Sequence, residues 1–196
     1  MRACWNGCHY GFALLLIFLI AVCSGCTGDR WRQRHSTEPT WNERLAVELP
    51  RMGHRNWIVI ADSAYPAQSR TGVDTFYVGG RQIDAVKRVL DAIDKAKHVR
   101  GVVFVDGELR HVAEQDAPGI DAYRKALRAL LNDRPAHDDA EHEQLIAKLD
   151  EAAKQFRILI LKTDMTIPYT TVFIRLDCAY WSDAAEERLR ASMRLR

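Results

Sequence analysis

The chain has 196 residues, 47% of them hydrophobic and 28% charged, which excludes a disordered polypeptide and leaves room for one ordinary domain plus an appendage. Twenty-eight Lys and Arg stand against 26 Asp and Glu, a formal charge of +2, and the signs are interspersed, so the basic stripe that a nucleic-acid partner needs is missing. Cys4, Cys8, Cys23 and Cys26 fall at the N-terminus and only Cys178 in the body, which excludes a disulfide framework; Cys4 and Cys8 have no matching second pair, so no metal is expected.

Residues 12–22 are uninterruptedly apolar, preceded by Arg2 and followed by Cys23-Ser24-Gly25-Cys26. That is the layout of a signal peptide, and the run is shorter than the roughly 20 apolar residues that span a bilayer. Ser24-Gly25-Cys26 resembles the end of a bacterial lipobox, although Cys23 stands where an aliphatic residue is usual. The expectation is a lipoprotein-type signal over residues 1–26 with Cys26 lipidated, a polar tether over 27–40, and one domain over 41–196. Such a protein is exported to the bacterial cell envelope and held at a membrane by its lipid.

In the body, Trp41, Leu45, Leu49 and Met52 recur at helical spacing. They predict a helix over 41–52 despite Pro50, with Thr40 as N-cap, Glu43 completing a capping box and Gly53 as the stop. The apolar, β-branched run 57–61 predicts a buried strand ending at Asp62. A short strand over 75–78 precedes a helix over 82–96, whose Ile83, Val86, Val89, Leu90 and Ile93 share one face. Next come a strand over 101–105, a helix over 120–131 with Tyr123, Leu127 and Leu130 inward, and a polar loop over 133–139. A helix over 143–156, strands over 157–162 and 170–176, and a charged helix over 183–194 complete the chain. Strands separated by helices predict a layered α/β domain. Gly79-Gly80 lacks the spacing of either phosphate-cradling glycine motif, so no nucleotide cofactor is expected.

His54 and Asp62 bracket the first strand. On spacing alone they fit two readings, a pair of loop caps or groups that exchange protons and hold hydroxyls. A five-residue strand spans on the order of 17 Å, so the two lie near its opposite ends unless a loop folds back or another subunit supplies one. No nucleophile elbow accompanies Ser63 or Ser69, which excludes the usual serine hydrolase. His98, His111 and His137 read as surface histidines. Trp57, Tyr180 and Trp181 read as core or interface aromatics, Cys178 as a buried small hydrophobe, and Tyr65 as a candidate to stack on a ligand ring.

The string Met52-Gly53-His54-Arg55-Asn56 followed by Ile60-Ala61-Asp62-Ser63-Ala64-Tyr65-Pro66 resembles the N-terminal motif of the ribose pyranase and fucose mutarotase (RbsD/FucU) family. That motif has a Gly-His pair, an apolar strand, an Asp eight residues after the His, and a Pro four residues further on. A second block, Pro168-Tyr169-Thr170-Thr171 before an apolar strand, resembles the family's Tyr-x-Asn segment, with Thr171 where asparagine is usual. His142 stands for a third family position, at a longer spacing.

The resemblance implies a layered α/β/α domain with a mixed sheet and cofactor-free interconversion of cyclic forms of a monosaccharide. It implies His54 as proton donor, Asp62, Tyr169, Thr171 and His142 as sugar-binding residues, and a site between subunits of a ring-shaped homo-oligomer, often a decamer. Thr171 offers one hydroxyl in place of a two-ended amide, which leaves a non-catalytic monosaccharide-binding envelope protein of the same fold as the alternative.

Overall fold

A computed structural model describes residues 40–132, 134 and 136–194. The expected signal over residues 1–26, with the expected lipidation of Cys26, and the expected tether up to residue 39 lie outside the described residues. Among the described residues no helix is long and apolar enough to cross a membrane.

The first helix starts as its sequence dictates. The Thr40 side chain accepts from the Glu43 amide while the Glu43 carboxylate takes the Thr40 N–H, closing a capping box around α1 (Trp41–Glu48). The expected continuation to Met52 is not α-helical. Pro50 has no N–H to bond back, and the chain tightens into a 3₁₀ turn over Leu49–Arg51.

The remaining elements are β1 (Trp57–Ala61), β2 (Val73–Tyr77), α2 (Gln82–Lys95), β3 (Val99–Val105), α3 (Ile120–Leu131), β4 (Ala136–His137), α4 (His142–Ala152), β5 (Ile158–Lys162), β6 (Val172–Cys178) and α5 (Asp183–Arg194). Two pieces are additions to the expected plan. The loop over 133–139 contributes the two-residue β4 to the sheet, and a 3₁₀ turn over Gly107–Arg110 follows β3.

The six strands lie in the order β2-β5-β1-β6-β3-β4. β6 pairs antiparallel with both β1 and β3, while every other pairing is parallel, so the sheet is mixed. β1 sits inside it with all five residues buried, which is why its sequence is continuously apolar instead of alternating. Ile58 and Ile60 face a core built with Leu45, Val86, Leu90, Ile93, Leu127 and Ile174 from α1, α2, α3 and β6. Trp57, Val59 and Ala61 face a second core with Leu145, Leu149, Ile160 and Phe173, under α4. The result is a three-layer α/β/α sandwich.

α5 buries none of its residues, and Tyr180 and Trp181 just before it are exposed, so neither belongs to the core. Cys178, expected to be buried, is half-buried. His98, expected as a surface residue, is half-buried, and its Nε2 reaches the carbonyls of Leu49 and Met52 at 3.2 and 3.1 Å, tying the end of the 3₁₀ turn to the start of β3.

Candidate functional site

β1 and β3 flank β6 and run opposite to it, so the carboxyl ends of both and the amino end of β6 emerge together. In the register Ile60 and Val105 both face Val172. The residue or two beyond each strand therefore bring Asp62, Asp106 and Thr171 to one edge of the sheet. Ligands of open α/β sheets commonly bind outside the carboxyl ends of strands, where neighbouring connections diverge.

Asp62 is fixed from two directions. Its Oδ1 accepts the Ala64 amide at 2.9 Å, and its Oδ2 accepts the Thr171 hydroxyl at 3.1 Å. Thr171 is 1% exposed. Its hydroxyl is committed to Asp62, so in this chain it orients that carboxylate instead of standing open to solvent.

Asp106, also 1% exposed, accepts from His142 Nδ1 at 3.0 Å through Oδ1. Its Oδ2 is buried with no hydrogen-bond partner. His142 opens α4, and its own amide donates to the Glu108 carboxylate at 3.0 Å, which pins the ring's attachment point. Burial pushes the Asp106 carboxyl above the usual carboxylate range, against the partly offsetting His142 contact. The hydrogen bond to Asp106 pushes His142 upward in turn, despite the opposing effect of its own partial burial. No hydrogen bond among the described residues engages His142 Nε2.

Tyr169 stands edge-on to His142 with ring centroids 6.0 Å apart, and it is 39% exposed. Its backbone φ is +58°, a left-handed conformation that costs a non-glycine residue on the order of 1 kcal/mol and persists only where the surroundings impose it. A buried polar network does so. The Thr170 carbonyl accepts from the Tyr123 hydroxyl at 2.6 Å and from the Gln82 side-chain amide, and the Thr170 hydroxyl donates to the Ile167 carbonyl at 2.7 Å. Gln82 Oε1 accepts from Thr163, whose hydroxyl also reaches the Ala61 carbonyl.

Four of the five expected site residues, Asp62, His142, Tyr169 and Thr171, thus come together in one chain. His54 does not. It precedes β1 at the other end of the sheet, 55% exposed, with Nδ1 2.7 Å from Asp177 Oδ1 near the end of β6. Tyr65, considered as a stacking platform, is buried in the core beneath α4, with its hydroxyl accepting from Gln68. Asp106 is a residue the sequence reading passed over, although it follows a strand end as Asp62 does.

A model of the RbsD / FucU transport protein family matches residues 36–178. Among solved structures, Bacillus subtilis RbsD complexed with D-ribose is 21% identical, with 71% of this chain and 95% of that chain covered and a TM-score of 0.51. The fucose mutarotase from Streptococcus pneumoniae in complex with L-fucose is 19% identical over 68% of this chain and 91% of its own, with a TM-score of 0.44. FucU from Bifidobacterium longum is 19% identical over 69% and 94%, with a TM-score of 0.46. No curated protein matches the chain.

Proposed function

We propose that this chain, which belongs to the RbsD / FucU transport protein family, is a cofactor-free isomerase that interconverts cyclic forms of a free monosaccharide. The observation that carries the reading is the convergence of Asp62, Asp106, His142, Tyr169 and Thr171 at one end of the sheet. The likeness of fold to a protein complexed with D-ribose supports a sugar as the ligand.

Ring opening of a hemiacetal breaks the bond between the anomeric carbon and the ring oxygen. The anomeric hydroxyl gives up its proton as its oxygen becomes a carbonyl, and the ring oxygen takes a proton as it leaves; reclosure reverses both transfers. In the proposed site the thread from Asp106 through His142 Nδ1 leaves Nε2 to exchange one of these protons, Asp62 holds a sugar hydroxyl in the orientation Thr171 gives it, and Tyr169 closes an edge. His54 is the second proton-transfer group and comes from another copy of the chain, because its own strand carries it away from the cluster.

Exchange NMR on pentoses and hexoses tests the activity. The expected result is accelerated anomer or ring-form exchange for at least one sugar, reduced by about two orders of magnitude in His54→Ala. No acceleration by the wild type, or an undiminished rate in His54→Ala, contradicts the mechanism, and line broadening without faster exchange identifies a binding protein instead.

The same proposal includes export to the cell envelope and lipid anchoring at Cys26, motivated by the apolar run over 12–22 and the Ser24-Gly25-Cys26 ending. Mass spectrometry of the mature protein is expected to find an N-terminal Cys26 carrying acyl chains. An N-terminus at any other residue rules the anchor out.

A further inference from the structure

His54 and Asp177 are 123 residues apart in the chain, yet they form a short contact, Nδ1 to Oδ1 at 2.7 Å. Both sides of that contact are anchored. The Arg55 amide donates to the Leu176 carbonyl at 2.9 Å and the Leu176 amide to the Asn56 carbonyl at 2.8 Å. These bonds lay the segment after His54 along β6 just ahead of Asp177. The Gly53 amide donates to Asn56 Oδ1 at 2.7 Å, which pins the backbone before His54, and Arg55 after it takes a φ of +75°, a left-handed conformation that a non-glycine residue rarely adopts unless its surroundings impose it.

Asp177 is held as firmly. Its Oδ1 also accepts the Cys178 amide at 2.9 Å, and its Oδ2 accepts from Arg100 at 3.0 Å. The same Arg100 nitrogen reaches Asp183 at the start of α5. Burial pushes the Asp177 carboxyl up, but the Cys178 amide, Arg100 and His54 together outweigh it and hold the group below its ordinary value. It is therefore a carboxylate throughout the neutral range.

We propose that Asp177 is a positioning residue for His54: it accepts the Nδ1 proton, fixes the neutral ring as the Nδ1-protonated tautomer, and leaves Nε2 facing outward as the nitrogen that exchanges protons. The catalytic half of this inference rests on the reading of His54 as a proton-transfer group. A free imidazole favours the opposite tautomer, and a carboxylate on Nδ1 both reverses that preference and fixes the ring plane. An ordinary exposed ion pair does neither and has little energetic consequence. His54 is 55% exposed while its partner is 19% exposed, the arrangement of an accessible imidazole set on a half-buried support.

Magic-angle-spinning nitrogen-15 spectra of the full chain, labelled at histidine and assigned by difference against His54→Gln, read the tautomer without any sugar. The wild type is expected to show His54 protonated at Nδ1, and Asp177→Asn to shift it toward protonation at Nε2. Catalysed ring-form exchange is expected to fall roughly tenfold or more in Asp177→Asn at an unchanged half-saturating sugar concentration, and Asp177→Glu to recover both readouts in part. An unchanged tautomer in Asp177→Asn overturns the inference. A changed tautomer with an unchanged exchange rate overturns its catalytic half. If the wild type accelerates no exchange, the isomerase reading falls and takes the catalytic half with it, while the spectra still decide whether Asp177 sets the tautomer.

Discussion

Co-expression of His54→Ala and His142→Ala chains is expected to restore roughly one quarter of wild-type ring-form exchange, although each variant alone loses about two orders of magnitude. The expectation follows from where the sheet puts the two imidazoles. His142 reaches Asp106 at the carboxyl end of β3, whereas His54 reaches Asp177 near the opposite end of β6. The five residues of β1 span on the order of 17 Å between His54 and Asp62, and the bonds of Arg55 and Asn56 to Leu176 prevent the His54 loop from folding back.

The proposed use of both histidines in one site therefore requires His54 from one copy and His142 from another, and the proposal places that contact in a head-to-tail ring. In a random mixture half of the contacts receive an intact His54 and half an intact His142, so one contact in about four has both. Exchange NMR at matched total chain concentration reads the result. Recovery to that level establishes the shared site. No recovery in mixed assemblies, with each variant alone inactive, means that the two histidines do not serve one site across two copies.

The parts of this arrangement that were legible from the sequence are those with a local signal. Five consecutive apolar residues from Trp57 to Ala61 announce a strand buried on both faces, and Thr40 with Glu43 announces the start of α1. Asp62 was open to two readings from its place after that strand, and became a site candidate only because the string from Met52 to Pro66 resembles a family motif. Asp106 holds the same kind of position after β3, but beside Gly107 and Glu108 it reads as an ordinary turn, and the histidine that gives it meaning lies 36 residues further on. The partner of His54 is 123 residues away. Two residues of β4 carry no periodicity to detect. The insertion of β6 between β1 and β3 depends on which strand edges remain open once the helices are packed, a property of the whole sheet that no segment of sequence encodes by itself.

Asp106→Asn is expected to stabilise the fold while nearly abolishing exchange. The wild-type carboxylate is 1% exposed with one oxygen unpartnered, and its carboxyl sits above the ordinary carboxylate range chiefly because burial disfavours the charge. A raised carboxyl means that ionising the group weakens the fold, by an amount that develops as pH rises above about 3.9 and is complete once the folded-state value is passed. His142 moves the other way in its effect. Its value is raised by the bond to Asp106, so the stabilisation it contributes is fully present below about pH 6.5 and is lost as pH rises through its folded-state value.

The buried charge is thus least compensated in mild alkali. There a neutral amide, even with its own N–H groups poorly satisfied, is expected to be more stable by about 1 kcal/mol, and at about pH 5.5, where the His142 cation offsets the carboxylate, that gain is expected to shrink or vanish. Exchange is expected to fall by about two orders of magnitude, because the amide can no longer fix the His142 tautomer or support its proton transfer. Chemical denaturation at the two pH values and exchange NMR on the same preparations check both parts. A variant less stable than wild type at about pH 8 would make Asp106 a structural anchor. Greater stability with lost exchange identifies it as a group kept for chemistry at the expense of the fold.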